Sequence, residues 1–198
     1  MSELFGLIQR ATLWLSNKPN RLRLRGSRIE VIAAVLTRKP FPSILLARTA
    51  GYGGTWTLPQ EGVGLKETFD DALYRCLVVE CGFDRPQSRD QLERNLYLRS
   101  HRYLGLLDLP PVRHGERPVA DDAVGTILES VKLKRKAYWV STVLVASQDQ
   151  VTFRPDGNEL GELRWYEIER AADRLRECNR PEKSELLARA IQEAARHL

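Results

Sequence analysis

The stretch Leu58–Phe83, LPQEGVGLKETFDDALYRCLVVECGF, constrains this 198-residue chain more than any other, because a glycine-bearing loop runs straight into a helix with a marked start and stop. Thr68 is the expected N-cap, Asp70 and Asp71 follow where the helix dipole favours anions, and Gly82 ends the run. Ahead of it, AGYGGTWTLPQEGVG at 50 to 64 is rich in glycine and reads as irregular. Earlier still, EVIAAVLT from Glu30 and SILLAR from Ser43 flank a Pro-containing turn, Lys39 to Pro42. Two apolar runs so joined predict a hairpin of buried strands.

The rest of the chain repeats this alternation. YLGLLDL near 103 to 109 and AYWVSTVLVA at 137 to 146 read as strands, and ELRWYEI at 162 to 168 reads as a strand entering the helix ERAADRLRE. A last helix over 181 to 197 starts at Pro181, and Leu186, Leu187, Ala190 and Ile191 form its packing face. Near the other end, Leu4, Leu7, Ile8, Ala11 and Leu15 predict an amphipathic helix over 3 to 16, suited to packing on the domain or on a protein partner or second copy. Asn17 to Arg28 contains Pro19 and the alternating RLRLR, which reads as a turn and then a short basic strand. The expected architecture is α/β, a mixed sheet flanked by helices in an α/β/α sandwich, with a segment 1–28 ahead of a domain 29–198.

Composition narrows the class of function. A 42% hydrophobic fraction with 29% charged residues fits one soluble domain with its own core. No apolar run approaches the ~20 residues that span a bilayer, and no leader pattern is read at the N-terminus, so a cytoplasmic location is the default expectation. Cys76, Cys81 and Cys178 show no metal or redox spacing and read as packing residues of a reducing compartment. The net charge of +5 is concentrated in Lys18, Arg21, Arg23, Arg25 and Arg28, and in Lys132, Lys134, Arg135 and Lys136. Such clusters suit polyphosphate or nucleic acid, or a solvated face. His101, His114 and His197 have no ligand spacing, and Tyr52, Trp56 and Tyr103 read as core or as stacking residues.

Glu67, Arg75, Leu77, Glu80, Gly82 and Phe83 fall at the spacing G-x5-E-x7-R-E-U-x-E-E-x-G-U, where U is bulky and apolar. On these residues the chain resembles the Nudix hydrolase family, with a degenerate box. Glu61 stands at the first glycine, and Cys76 and Val79 stand where two helix glutamates belong. On an α-helix positions 76, 79 and 80 share one face, so the family's carboxylates converge there on a divalent cation. Each unit charge ~4 Å away is worth ~4 kcal/mol at an effective dielectric of about 20, so losing two weakens such a site by several kcal/mol.

Trp56-Thr-Leu-Pro-Gln-Glu-Gly before the box, KLKRKAYWVSTVL and NELGELRW after it are similar to the RNA pyrophosphohydrolase and dinucleoside polyphosphate hydrolase branch, while RWYEIERAADRL also resembles the diphosphoinositol polyphosphate group. The resemblance implies Glu80 and Glu159 as catalytic residues, and Glu80, Glu159 and Glu61 as ligands of Mg²⁺ or Mn²⁺. It further implies Lys134, Arg135, Lys136, Tyr52 and Gln60 as substrate-binding residues, with Glu67, Arg75 and Gly82 as the structural frame. The activity implied is hydrolysis of a diphosphate linkage in a nucleoside-diphosphate-linked compound, a dinucleoside polyphosphate or an RNA 5′ end. The alternative is an inactive module that binds a nucleotide, RNA or polyphosphate.

Overall fold

The computed structural model describes residues 18–51, 54–83, 99–109, 135–150, 152–155 and 157–198. The chain divides into two compact units, Glu30–Gly105 with Tyr138–Leu198, and Met1–Ile29 with Leu106–Ala137. The expected helix over 3 to 16 lies outside the described residues.

In the smaller unit, Lys18–Leu24 forms a helix, α1, not the turn and strand that the RLRLR alternation predicts. Pro19 fits a first helical turn because its missing N–H has no partner there anyway, and Arg21 and Arg23 lie in the last turn, where the dipole favours cations. Asn20 accepts from Arg23 Nη1 at 3.0 Å across that turn. Local helical contacts thus override a period-2 pattern only five residues long. Gly26, at φ 74°, reverses the chain.

The larger unit is built on a seven-stranded mixed sheet. β1 (Ser27–Thr37) and β2 (Ser43–Thr49) form the expected antiparallel hairpin, with Leu36 opposite Ile44. Two very short strands, β3 (Trp56–Thr57) and β4 (Gln60–Gly62), occur inside the stretch read as irregular. Two or three residues carry no periodicity for a sequence to display. β3 pairs with β2, and β4 pairs with β1, placing Glu61 opposite Val31 and Gln60 opposite Ile32. β5 (Arg99–Asp108), β6 (Arg135–Val145) and β7 (Leu160–Glu167) complete the sheet in the order β3-β2-β1-β6-β5, with β7 on β2 from Ser43 to Thr49.

The box helix, α2, spans Phe69–Arg75 and continues as a wider π turn over Cys76–Glu80. Thr68 caps it as expected: its side chain accepts from Asp71 N–H at 3.1 Å, and Asp71 Oδ2 accepts from Thr68 N–H at 3.1 Å. This reciprocal capping box fixes the start of the helix. Its inner face buries Leu73, Cys76 and Leu77 against Ala33, Val35, Val143 and Val145. Gly82 ends the run at φ 56°, where a Cβ would lie 1.7 Å from the Arg154 carbonyl oxygen.

Two further helices, α3 (Ile168–Cys178) and α4 (Pro181–Ala195), are joined at Asn179, whose amide donates to the Leu175 and Trp56 carbonyls at 2.9 and 2.8 Å. On α4, Lys183 donates to Gln60 Oε1 at 2.6 Å and lies 4.2 Å from the Tyr138 ring centroid. Strand alternation sets Gln60 and Tyr138 on the sheet face opposite Glu61 and Trp139, so α4 covers one face and α2 the other.

Candidate functional site

Four side chains converge at the far end of the box helix. Glu61 comes from β4, Glu67 from the loop, Arg75 from the last turn of α2, and Glu80 from the π turn. Arg75 is the hub: Nη1 meets Glu61 Oε2 at 2.8 Å, Nη2 meets Glu67 Oε2 at 2.9 Å, and Nε donates to Glu67 Oε1 at 3.2 Å. Nη2 also donates to the Gly62 carbonyl at 2.8 Å, and Glu67 Oε2 accepts from Gly64 N–H at 2.8 Å. The planar guanidinium therefore pins both sides of the loop onto the helix. Burial opposes the charge on Arg75, but the carboxylate of Glu67, with that of Glu61, raises its pKa further above its already high value.

Glu61 is not a solvent-facing loop residue. Its Oε1 accepts the Gly62 N–H at 2.7 Å, and its side chain hydrogen-bonds Glu80. Glu80 is only 5% exposed. Burial, foremost, and the hydrogen bond with Glu61 push its carboxyl up to about 11. For Glu61 burial acts upward too, yet the hydrogen bond from Glu80 and the Arg75 charge outweigh it and lower its pKa. Burial and the contact with a second carboxyl favour the protonated form at Glu80, while the Arg75 cation favours the ionised form at Glu61.

Positions 76, 79 and 80 do not share a face as α-helical spacing predicts. Cys81 N–H donates to the Cys76 carbonyl at 3.0 Å, an i to i+5 bond that widens the turn, so each residue advances through a smaller angle. Cys76 and Glu80 stay inside, with Cys76 Sγ donating to Glu80 Oε2 at 3.8 Å, while Val79 turns outward and is 59% exposed. Cys76 belongs to the apolar core, and its hydrogen bond with Cys81 and its burial hold the thiol well above the usual range. A neutral, buried thiol is a packing group.

Nudix hydrolases as a class use divalent metals. Mg²⁺ needs several hard oxygen donors in near-octahedral array. Here Glu80 is buried, Glu61 and Glu67 are engaged by the Arg75 cation, Cys76 is a thiol and Val79 a hydrocarbon. Glu159 is exposed, and its charge contributes to the rise at Glu80. Among the described residues no three acidic, histidine or cysteine side chains are arranged to hold a metal. The residues present do not fit a divalent cation as they stand.

The other residues singled out by sequence are dispersed. Tyr52, Lys134 and His114 lie outside the described residues. Arg135, in the smaller unit, pairs with Asp108 at 3.2 Å; Lys136 follows it on β6. Gln60 faces α4 rather than Glu80. Trp56 is buried edge-on to Tyr166, and Tyr103 packs on Trp139 with centroids 4.8 Å apart. His101 stacks on Phe69, meets Ser141 Oγ at 2.6 Å and approaches Asp70 at 3.4 Å, so it is satisfied structurally. The Glu61–Glu80 contact could have been found from sequence only by pairing β4 with β1.

A mixed sheet between helices, with a capped loop and helix locked by Arg75 and Glu67, defines the Nudix class of fold. The chain belongs to the NUDIX domain family, whose model matches residues 27–190. Solved structures of similar fold include a C. elegans Ap4A hydrolase binary complex, at 15% identity and TM-score 0.54, covering 86% of this chain and 99% of that one. The E. coli dihydroneopterin triphosphate pyrophosphohydrolase is similar at 11% identity and TM-score 0.55, covering 86% and 96%. The NUDIX domain of Shewanella oneidensis NrtR complexed with ADP ribose is similar at 13% identity and TM-score 0.51, covering 93% and 97%. No curated protein matches the chain. Among the described residues no helix is long and apolar enough to cross a membrane.

Proposed function

We propose that this Nudix domain is a recognition module for a nucleoside-diphosphate-linked compound, such as a dinucleoside polyphosphate or an RNA 5′ end, without metal-dependent hydrolysis of the diphosphate linkage. The observation that carries the reading is that the box helix keeps a single carboxyl, the buried Glu80, with Glu61 paired to Arg75, Cys76 in the core and Val79 in solvent. A site with one carboxyl left on the box helix, and with Glu61 and Glu67 tied to Arg75, is not built to polarise a phosphorus through a metal. The ligand class is supported by the similar folds, one an Ap4A hydrolase and one holding ADP ribose. The basic clusters support it too, because phosphate binding led by Lys and Arg is salt-sensitive. The basic residues Lys18, Arg21, Arg23, Arg25 and Arg28 of the segment 1–28 suit an anionic ligand or a partner.

The test pairs calorimetric titration of diadenosine polyphosphates, ADP-ribose and 5′-triphosphorylated RNA with phosphate-release assays in Mg²⁺ and Mn²⁺. Binding that weakens as salt rises, with no metal-dependent release, is the expected result. The competing reading, a working hydrolase using Glu80 and Glu159, is favoured by the proximity of the Glu159 charge to Glu80. Metal-dependent turnover abolished by Glu80→Gln would establish it and overturn the proposal.

A further inference from the structure

We infer that Arg75, rather than a divalent cation, is the resident counter-ion of this box, and that Glu61 is the residue that makes it so. The inference rests on the recognition reading above and deepens it. The Arg75–Glu67 pair alone would close the loop onto the helix. Glu61 adds a second carboxylate at 2.8 Å from Nη1, on the side where β4 meets the π turn. One guanidinium thus bridges two carboxylates and a backbone carbonyl, at Gly62. A dication entering beside Glu61 would have to displace the Arg75 guanidinium or sit against its fixed positive charge. The donor geometry of a guanidinium fork suits this arrangement, since it takes two carboxylates in one plane without stripping water from an ion.

Mn²⁺ titration of the full chain, followed by the electron paramagnetic resonance of free Mn²⁺ and by thermal melting with and without the metal, tests this. Wild type is expected to show no stoichiometric Mn²⁺ binding and an unchanged melting temperature. Arg75→Gln leaves Glu61 and Glu67 without their cation, so it should melt lower and gain about tenfold or more in Mn²⁺ affinity, with melting partly restored by the metal. One Mn²⁺ bound by wild type and lost in Glu80→Gln overturns the inference. So does a folded Arg75→Gln that gains no Mn²⁺. Should Arg75→Gln not fold, the wild-type titration decides alone. Stoichiometric Mn²⁺ without turnover would sink this inference and spare ligand recognition, whereas failure to bind any nucleotide would sink recognition and spare this one.

Discussion

Glu80 is an acid that the fold keeps neutral, and the consequence is a pH dependence opposite to that of an ordinary surface carboxylate. Its pKa rises from 4.5 to about 11 on folding, so the folded state holds a proton that the unfolded chain releases. The stability this contributes is fully present below pH 4.5 and drains away as pH climbs toward the folded value. Glu61, shifted the other way, contributes stability above pH 4.5 that is lost as pH falls through its lowered pKa. Glu80→Gln mimics the neutral acid, so it should match wild type below about pH 4.5 and become progressively the more stable of the two as pH rises, because it lacks the decline that wild type shows across roughly pH 5 to 10. Urea midpoints over that range check it; parallel slopes for the two proteins would contradict the protonated state. At this scale the resemblance to the family's box displayed Glu67 and Arg75, and the structure joins them at 2.9 Å across loop and helix. The sequence could not display Glu61 meeting Glu80, because β4 brings them together through its pairing with β1.

Among the elements, the box helix shows what local chemistry can and cannot specify. Its start was legible in Thr68, Asp70 and Asp71, and its end in Gly82. The π turn between them was not, since CLVVE has no residue that forbids continued α-helix. The wider turn leaves Cys76 and Glu80 inward and swings Val79 out of the core. Gly82 secures that geometry, accepting at its carbonyl from Arg154 N–H at 3.3 Å and tolerating a φ of 56°. Gly82→Ala combines left-handed strain with a collision against backbone, and should cost on the order of 3 kcal/mol. Denaturant unfolding measures it, and a loss below about 1 kcal/mol would mean that the Arg154 segment simply moves away. α1 is the converse case, in which RLRLR pointed to a strand and the first-turn proline with helix-end arginines decided for helix.

For the molecule as a whole, α4 closes the sheet face opposite the box. Leu187 is fully buried there, with Leu186, Ala190, Ile191 and Ala194 beside it. Leu187→Ala should cost about 2–5 kcal/mol and lower the melting temperature on the order of 10 °C. Scanning calorimetry would show it, and a shift of only a degree or two would mean that α4 is not part of the cooperative core. The layered α/β architecture was legible because apolar periodicity and end signals are properties of consecutive residues: the hairpin, β5, β6, β7, α3 and α4 all stand close to where the pattern puts them. By itself, then, the sequence determined the family's frame, the loop and helix lock at Glu67 and Arg75, and the loss of two box carboxylates. Tertiary structure alone decided what replaces them. Burial sets the charge on Glu80, strand pairing delivers Glu61, and a wider helical turn turns Val79 outward, and each depends on residues distant in the chain or on the packing around them.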